Sequence, residues 1–200
     1  MNITVAIPIF NGANTIKNVL DRLTMQKIPG LNVIAYDNGS NDGTRGLLGE
    51  LFASHYYATK RSKDAVAINF AFFGGHHEPK HPYHNALRTR RLIAEIANTE
   101  HIFFLDSDVI LPVDALTEVG QELSPANMYV GIQYEPDCGR SHNHVMFGAT
   151  LWKRSDFLTL PDAYDPSKGC DCKYASDWAI AQGRPAKYHS RLMAYHSKSV

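Results

Sequence analysis

The apolar run Ile3-Thr-Val-Ala-Ile-Pro-Ile-Phe10 stops at the turn pair Asn11-Gly12, and the chain then changes period. Ile16, Val19, Leu20 and Leu23 fall at i, i+3, i+4 and i+7, the spacing of one helix face, with Asn14 placed to cap it. The run is too short for a membrane span and reads as a buried strand. Pro8 inside it argues that the strand ends early, because proline has no N–H to give a ladder. The unit then repeats. Leu31 to Tyr36 is a second apolar run, closed by Asp37-Asn-Gly-Ser-Asn-Asp-Gly-Thr44, a loop dense in turn formers, with a second helix expected from Thr44 to Ala53. Buried strands alternating with helical stretches predict an α/β chain built on a mostly parallel, doubly wound sheet.

Composition narrows the class. A chain of 200 residues is about one domain and large enough for a real core. Its 20 basic and 20 acidic residues cancel, so it lacks the basic excess with which nonspecific nucleic-acid binders grip phosphate. No stretch reaches the roughly 20 apolar residues that cross a bilayer, and Met1-Asn-Ile-Thr lacks the cationic start of a secretory signal. A soluble, cytoplasmic protein is the expectation. No internal repeat, low-complexity segment or linker interrupts residues 1–200, which are read as a single domain.

Asp106-Ser107-Asp108 follows the apolar run His101-Ile-Phe-Phe-Leu105, so two carboxylates emerge where a buried strand ends. Carboxylate oxygens suit Mg²⁺ or Mn²⁺, and magnesium is usually held by one or two carboxylates with substrate phosphates completing its shell. In open α/β sheets ligands bind beyond the carboxyl ends of the strands, where this pair is expected. Taken alone, the tripeptide is equally an acidic turn.

Four segments in order sharpen the reading: Val5-Ala-Ile-Pro-Ile-Phe-Asn11; Asp37 to Thr44; Arg90-Arg91, seven and six positions before Ala97; and Phe103-Phe-Leu-Asp-Ser-Asp108. Together they resemble the nucleotide-sugar half of a family 2 glycosyltransferase of the GT-A fold, a Rossmann-like open twisted sheet flanked by helices. The resemblance continues through Phe147-Gly-Ala-Thr-Leu-Trp-Lys-Arg154 and ends at Arg191-Leu-Met-Ala-Tyr-His196, weakening across residues 55–84 and 134–145. It implies a nucleotide-sugar half over residues 1–110 and an acceptor-side half over 111–200.

The resemblance also implies roles. Pro8, Phe10 and Asn11 line the nucleoside site, and the Asp37 carboxylate accepts from a base N–H, a charge-assisted and geometrically selective bond; alternatively Asp37 closes an Asx-turn in its own loop. Asp42 reads better as a helix cap. Arg90 neutralises diphosphate or orients Asp106, a task suited to its planar fork of donors; a solvated basic cluster with Arg88 and Arg91 is the plainer alternative. Asp106 contacts ribose or a metal-bound water, Asp108 ligates Mn²⁺ or Mg²⁺, and His196 closes the last strand as a further ligand, because phosphates and one carboxylate do not fill an octahedral shell. Alternatively His196 is a lone histidine near the chain end.

The general base is expected in the C-terminal third. Family members commonly carry an acidic pair at the start of a helix, whereas this chain offers Cys170-Asp171-Cys172 and Ser176-Asp177-Trp178. Asp177, with Ser176 as N-cap, is the first choice and Asp171 the second; a first-turn acidic residue also simply favours the helix dipole.

Three cysteines open another possibility. Cys138, His142, His144, Cys170 and Cys172 include enough N and S donors for zinc, although Cys-x-Cys is not the usual knuckle and reduced thiols are the default. The segment Gly74 to His84 carries four more histidines and reads as a surface loop beside the donor site, with a second metal cluster as the alternative. The turn-rich stretch from Tyr134 to Val145 falls on the acceptor side, and Trp152, which follows an expected strand from Phe147 to Leu151, is expected in the core, whereas Trp178 is free to stack on a sugar.

The expectation is therefore a metal-dependent inverting glycosyltransferase. UDP-sugar is the favoured donor and GDP-sugar the second; the acceptor hydroxyl belongs to a saccharide, lipid-linked glycan, protein or modified base. The alternative is a catalytically silent sugar-nucleotide-binding or partner-binding domain of the same fold. A nucleotidyltransferase fits less well, because Asn11-Gly12-Ala13-Asn14 is not a Gly-rich phosphate loop bearing Arg or Lys.

Overall fold

The first apolar runs pair in parallel. In the structure, a computed structural model that describes residues 1–61, 68–75, 82–135 and 144–197, β1 (Ile3–Ile9) lies between β2 (Leu31–Asp37) and β4 (His101–Leu105), and β3 (Ile68–Gly74) extends the sheet beyond β2. Helices α1 (Ile16–Thr24), α2 (Thr44–Arg61) and α3 (Pro82–Ile96) make the crossovers. After β4 the sheet becomes mixed. It continues through β5 (Val109–Ile110), α4 (Ala115–Glu122), β6 (Tyr129–Glu135), β7 (Ala149–Lys153), α5 (Arg154–Leu158), α6 (Asp171–Ala181) and β8 (Lys187–His196). The spatial order is β3-β2-β1-β4-β7-β6-β8-β5, with β7 antiparallel to both β4 and β6, and β5 antiparallel to β8.

Both faces of this sheet are covered, which is why its strands read as continuous apolar runs rather than alternating ones. Ile3, Val5, Ile7 and Ile9 of β1 pack with the predicted face of α1 and with Leu116 and Val119 of α4. Ala6, Ile102 and Phe104 face the other way, toward Ile93, Trp152, Phe157, Ala175 and Ala179. Trp152 is fully buried as expected, stacked on Tyr129 at 3.9 Å between ring centres. Trp178 is half-buried and packs against the same cluster. No helix among the described residues is long and apolar enough to cross a membrane.

Four boundaries differ from the sequence reading, each for a local reason. β1 continues past Pro8 to Ile9; Pro8 pairs with Tyr36 but lies beyond Ala6–Phe104, the last rung to β4, where a residue without an N–H is tolerated. α1 starts at Ile16 after Thr15 rather than after Asn14, because the Gly12 carbonyl accepts from the N–H groups of both Thr15 and Ile16 and winds the first turn itself. α2 runs beyond Ala53 to Arg61. β7 begins at Ala149 rather than Phe147, since residues 147 and 148 form a turn.

β8 is fastened by one carboxylate. Glu122, at the end of α4, contacts Lys187 Nζ at 2.8 Å and accepts from the N–H and hydroxyl of Ser190 at 3.1 and 2.7 Å, with His189 Nε2 at 3.3 Å. The Lys187 contact first and the Ser190 bonds next hold the Glu122 carboxyl down, from 4.5 to about 2. A depressed acid stabilises the fold above its ordinary pKa and loses that contribution as pH falls through the folded value. Urea midpoints are therefore expected to be higher for the native chain than for Glu122→Gln at pH 6. The gap should shrink between pH 4.5 and about 2; a gap that stays constant with pH would overturn this account.

Candidate functional site

Two loops are laced together at the carboxyl ends of β1 and β2. Asn11 N–H donates to Ser40 Oγ at 2.8 Å, Gly12 N–H to Thr44 Oγ1 at 2.9 Å, and Ala13 N–H to Asp42 Oδ2 at 3.0 Å. Asn11 returns a bond by accepting from Asn41 N–H at 3.0 Å, and it does so in the left-handed conformation that Asn tolerates, at φ 53°. Asp42 also accepts from Thr44 N–H at 3.1 Å, at the first residue of α2. That is the capping role expected of it. Burial would raise its carboxyl, but bonds from the Thr44 hydroxyl and from the Ala13 and Thr44 N–H groups outweigh it and hold the group low. Asp37 is buried; its Oδ1 accepts from Ser40 N–H at 3.0 Å, the Asx-turn of the sequence analysis, and its Oδ2 lies 3.5 Å from Arg45 Nε.

The acidic motif leaves the end of β4. Asp106 N–H donates to the Gly148 carbonyl at 2.9 Å, which pins the turn against the segment before β7. In the β5–β8 ladder Val109 stands opposite His196, so His196 Nε2 comes within 3.1 Å of Asp108 Oδ2. Burial first, and the neighbouring Asp106 charge second, push the Asp108 carboxyl up against the opposing effect of His196. Asp108 and His196 thus stand together as oxygen and nitrogen donors of the kind that suits Mg²⁺ or Mn²⁺, while Asp106 is held by Arg90 and is not drawn into one cluster with them.

Arg90 connects this motif to α6. Its side chain is buried in α3, donating from Nη2 to Asp106 Oδ1 at 2.7 Å and from Nη1 to Asp171 Oδ2 at 2.7 Å. The guanidinium also lies over the Phe147 ring, 5.0 Å from its centre. Burial disfavours its charge, but Asp106 and Asp171 outweigh that and raise its pKa. For Asp171, burial dominates and raises the carboxyl despite Arg90, while Oδ1 accepts from Cys172 N–H at 2.9 Å. Arg90 is thus no solvated helix face. Joining two carboxylates through one guanidinium was not readable from spacing, since residues 90, 106 and 171 meet only in the folded sheet.

The start of α6 also departs from the sequence reading. The helix begins at Asp171 with Cys170 as N-cap, its Sγ accepting from Lys173 N–H, rather than at Asp177 after Ser176. Cysteine is not among the preferred caps, so the earlier start left no familiar signal. Ser176 is buried inside the helix, 2.6 Å from the Tyr129 hydroxyl. Asp177 is exposed, ion-paired with Lys173, and borders a surface depression with Tyr164 and Lys168.

A cleft of about 370 Å³ gathers most of the expected residues. It is lined by Pro8, Phe10 and Asn38, by Arg90, Asp106 and Asp108, and by Met146 to Gly148 with Cys170, Asp171 and Cys172. Phe147 and Met146 were not singled out as site residues; as apolar residues before a strand they gave only a packing signal. Of the cysteines and histidines considered for zinc, Cys138 and His142 lie outside the described residues, as does the histidine-rich stretch at 76–81. His144, Cys170 and Cys172 do converge. A bond from Cys172 is the largest influence on the Cys170 thiol, pulling it down to about 5, while the Cys172 thiol is pushed up by the same contact and by burial.

The family model for glycosyl transferase family 2 matches residues 4–73. Among solved structures, a mannosyltransferase from Pyrobaculum calidifontis in complex with GDP-Man and Mn²⁺ is similar at TM-score 0.72 and 18% identity, over 99% of this chain and 57% of that one. TarS from S. aureus, in complex with UDP-GlcNAc, is similar at TM-score 0.71 and 17% identity, over 100% of this chain and 59% of that one. The glycosyltransferase GlyE of Streptococcus pneumoniae TIGR4 aligns at TM-score 0.60 and 13% identity, over 94% and 45%. These likenesses establish the GT-A fold, and the chain spans little more than half the length of the first two structures. No curated protein sequence matches the chain.

Removing Arg90 leaves a buried carboxylate unpaired, a change that costs about 3–5 kcal/mol in comparable buried pairs. Arg90→Met is expected to lower stability by that order at pH 8 and to regain part of it toward pH 5. The sign follows from Asp171, which without its partner binds a proton in the folded state more readily than in the unfolded one. Chemical denaturation across that range checks it; a pH-independent loss would exclude Asp171 as the group left unpaired.

Proposed function

We propose that this protein, a family 2 glycosyltransferase by its matched N-terminal segment and its GT-A fold, moves a sugar from a nucleoside diphosphate to an acceptor hydroxyl with inversion at the anomeric carbon. The observation that carries this is the meeting of Asp106, Asp108, Arg90 and Asp171 in one cleft with the end of β1. On this reading Pro8, Phe10 and Asn11 border the nucleoside, and Asp37 accepts a base N–H, its orientation fixed by the bond from Ser40. Uracil and guanine both present such an N–H. UDP-sugar is the favoured donor, GDP-sugar the second.

Asp108, Asp106 and His196 would hold Mn²⁺ or Mg²⁺, which supplies positive charge to the diphosphate as negative charge grows there. Arg90 fixes Asp106 and Asp171 relative to one another from α3. Asp171 takes the proton of the acceptor hydroxyl as its oxygen bonds to the anomeric carbon and the bond to the β-phosphate breaks, with the electron pair leaving on phosphate. Burial, by raising the Asp171 carboxyl, makes it a better proton acceptor than an exposed aspartate. Asp177 lies in the middle of α6, exposed and paired with Lys173, and takes no part in this step.

A second reading, nucleotide binding without turnover, has one observation in its favour: both oxygens of Asp171 are engaged, by Arg90 and by Cys172 N–H. Release of labelled sugar from UDP- and GDP-sugars with Mn²⁺, measured beside nucleotide calorimetry, separates the two. Asp171→Asn is expected to lose about 10²–10⁴-fold in turnover with nucleotide affinity retained, the usual worth of a general base. Asp108→Ala should abolish the metal dependence of nucleotide binding. Native protein that binds nucleotide yet neither hydrolyses nor transfers sugar would favour the silent domain, and affinity indifferent to Mn²⁺ and Mg²⁺ would remove the metal from the scheme.

A further inference from the structure

We propose that His144, Cys170 and Cys172 form a zinc site in the wall of the cleft, distinct from the oxygen-rich donors Asp106 and Asp108. The inference stands on geometry and ligand chemistry and does not depend on the glycosyl-transfer reading. The Cys170 and Cys172 Sγ atoms are 2.8 Å apart, and His144 Nε2 lies 3.2 Å from the first and 3.1 Å from the second. Three soft donors thus form a nearly equilateral triangle. With Zn–S near 2.3 Å and Zn–N near 2.0–2.1 Å, a tetrahedral ion spreads such a triangle to edges of about 3.5–3.8 Å. Each edge reaches that value by opening about 1 Å or less.

The local fold explains the convergence. Cys170 is the N-cap of α6, in extended conformation, and Cys172 is the second helical residue, so the turn into the helix brings both sulfurs to one point. His144 arrives from the segment that precedes β7 and is separated from both cysteines by more than twenty residues of sequence. Cys172 is buried, whereas Cys170 and His144 are half-buried, which leaves the site reachable by an ion from solvent. Two thiolates and an imidazole select zinc over the Mg²⁺ or Mn²⁺ that carboxylates favour, so the two sites differ in the metal they take. Water completes a fourth position.

Asp171 is the residue between the two cysteines, and Met146 to Gly148 lie two to four positions after His144. An ion here would tie the start of α6 to the wall of the cleft and fix the backbone from which Asp171 reaches Arg90. The three ligands join two segments of the chain, and the fourth position stays open to water.

Metal analysis of the full chain, purified reduced, loaded with zinc and passed over a desalting column, tests the site. About one zinc per chain is expected in the native protein and in Asp108→Ala, falling below about a tenth in Cys172→Ser and His144→Ala. Cobalt substitution should give a thiolate-to-metal charge-transfer band that both ligand variants lose, with circular dichroism showing that each remains folded. Cys170→Ser supplies an independent ligand variant should one of the others fail to fold. Folded native protein without zinc, zinc retained in every folded ligand variant, zinc lost from Asp108→Ala alone, or a Cys170–Cys172 disulfide in the reduced preparation would overturn the proposal.

Discussion

The guanidinium of Arg90 is the charge on which the site's arrangement depends. It is nearly removed from solvent, and a buried cation is costly unless its field is answered by carboxylates in good geometry. Two answer it at 2.7 Å each, Asp106 from the end of β4 and Asp171 from the start of α6. A helix from the parallel half of the sheet thereby sets the distance between residues of the two halves. Because either carboxylate left alone would be the expensive state, the three groups hold their relation more firmly than any one packing contact would.

Around that triad, environment divides the labour among chemically identical side chains. Asp42, exposed and bonded by backbone N–H groups, stays low and caps a helix. Asp108, half-buried near another carboxylate, is raised and stands beside His196. Asp171, buried at the start of α6, is raised although it touches Arg90. Asp177, paired with Lys173 on the surface, faces away from the cleft. Residue type alone distinguishes none of these; burial and bonding partners together do.

That also explains what could be read before folding and what could not. β1, β2 and β4 are buried on both faces, so local composition reports them directly, and the face of α1 is written in the spacing of Ile16, Val19, Leu20 and Leu23. The turn residues after β1 and β2 are informative because Asn11, Ser40, Asp42 and Thr44 satisfy each other's backbone through side chains. The C-terminal half is different. Its order, β4-β7-β6-β8-β5, joins strands distant in sequence and in mixed direction, so nothing local announces that His196 will stand opposite Val109. The start of α6 was misplaced for a narrower reason: Ser176 looks like a cap, but its hydroxyl meets Tyr129 inside the core, while a cysteine caps the real terminus.

The same logic bears on why Cys-Asp-Cys stands where an acidic pair is customary in the family resembled. A second carboxylate at position 170 would place another negative charge near Asp171 and Asp106, with Arg90 already shared between them. At position 170 the chain has a thiol instead: its sulfur accepts the Lys173 N–H and caps the helix, and because its pKa is pulled down, the charge it adds beside Asp171 sits on a soft donor rather than on a second carboxylate. The substitution keeps Asp171 at the helix start and beside Arg90 while changing what its neighbours can bind, from hard cations toward soft ones. The departure at this motif therefore leaves a carboxylate in the cleft, because the geometry of Asp171 depends on Arg90 and on the backbone of α6 rather than on the chemical identity of residue 170.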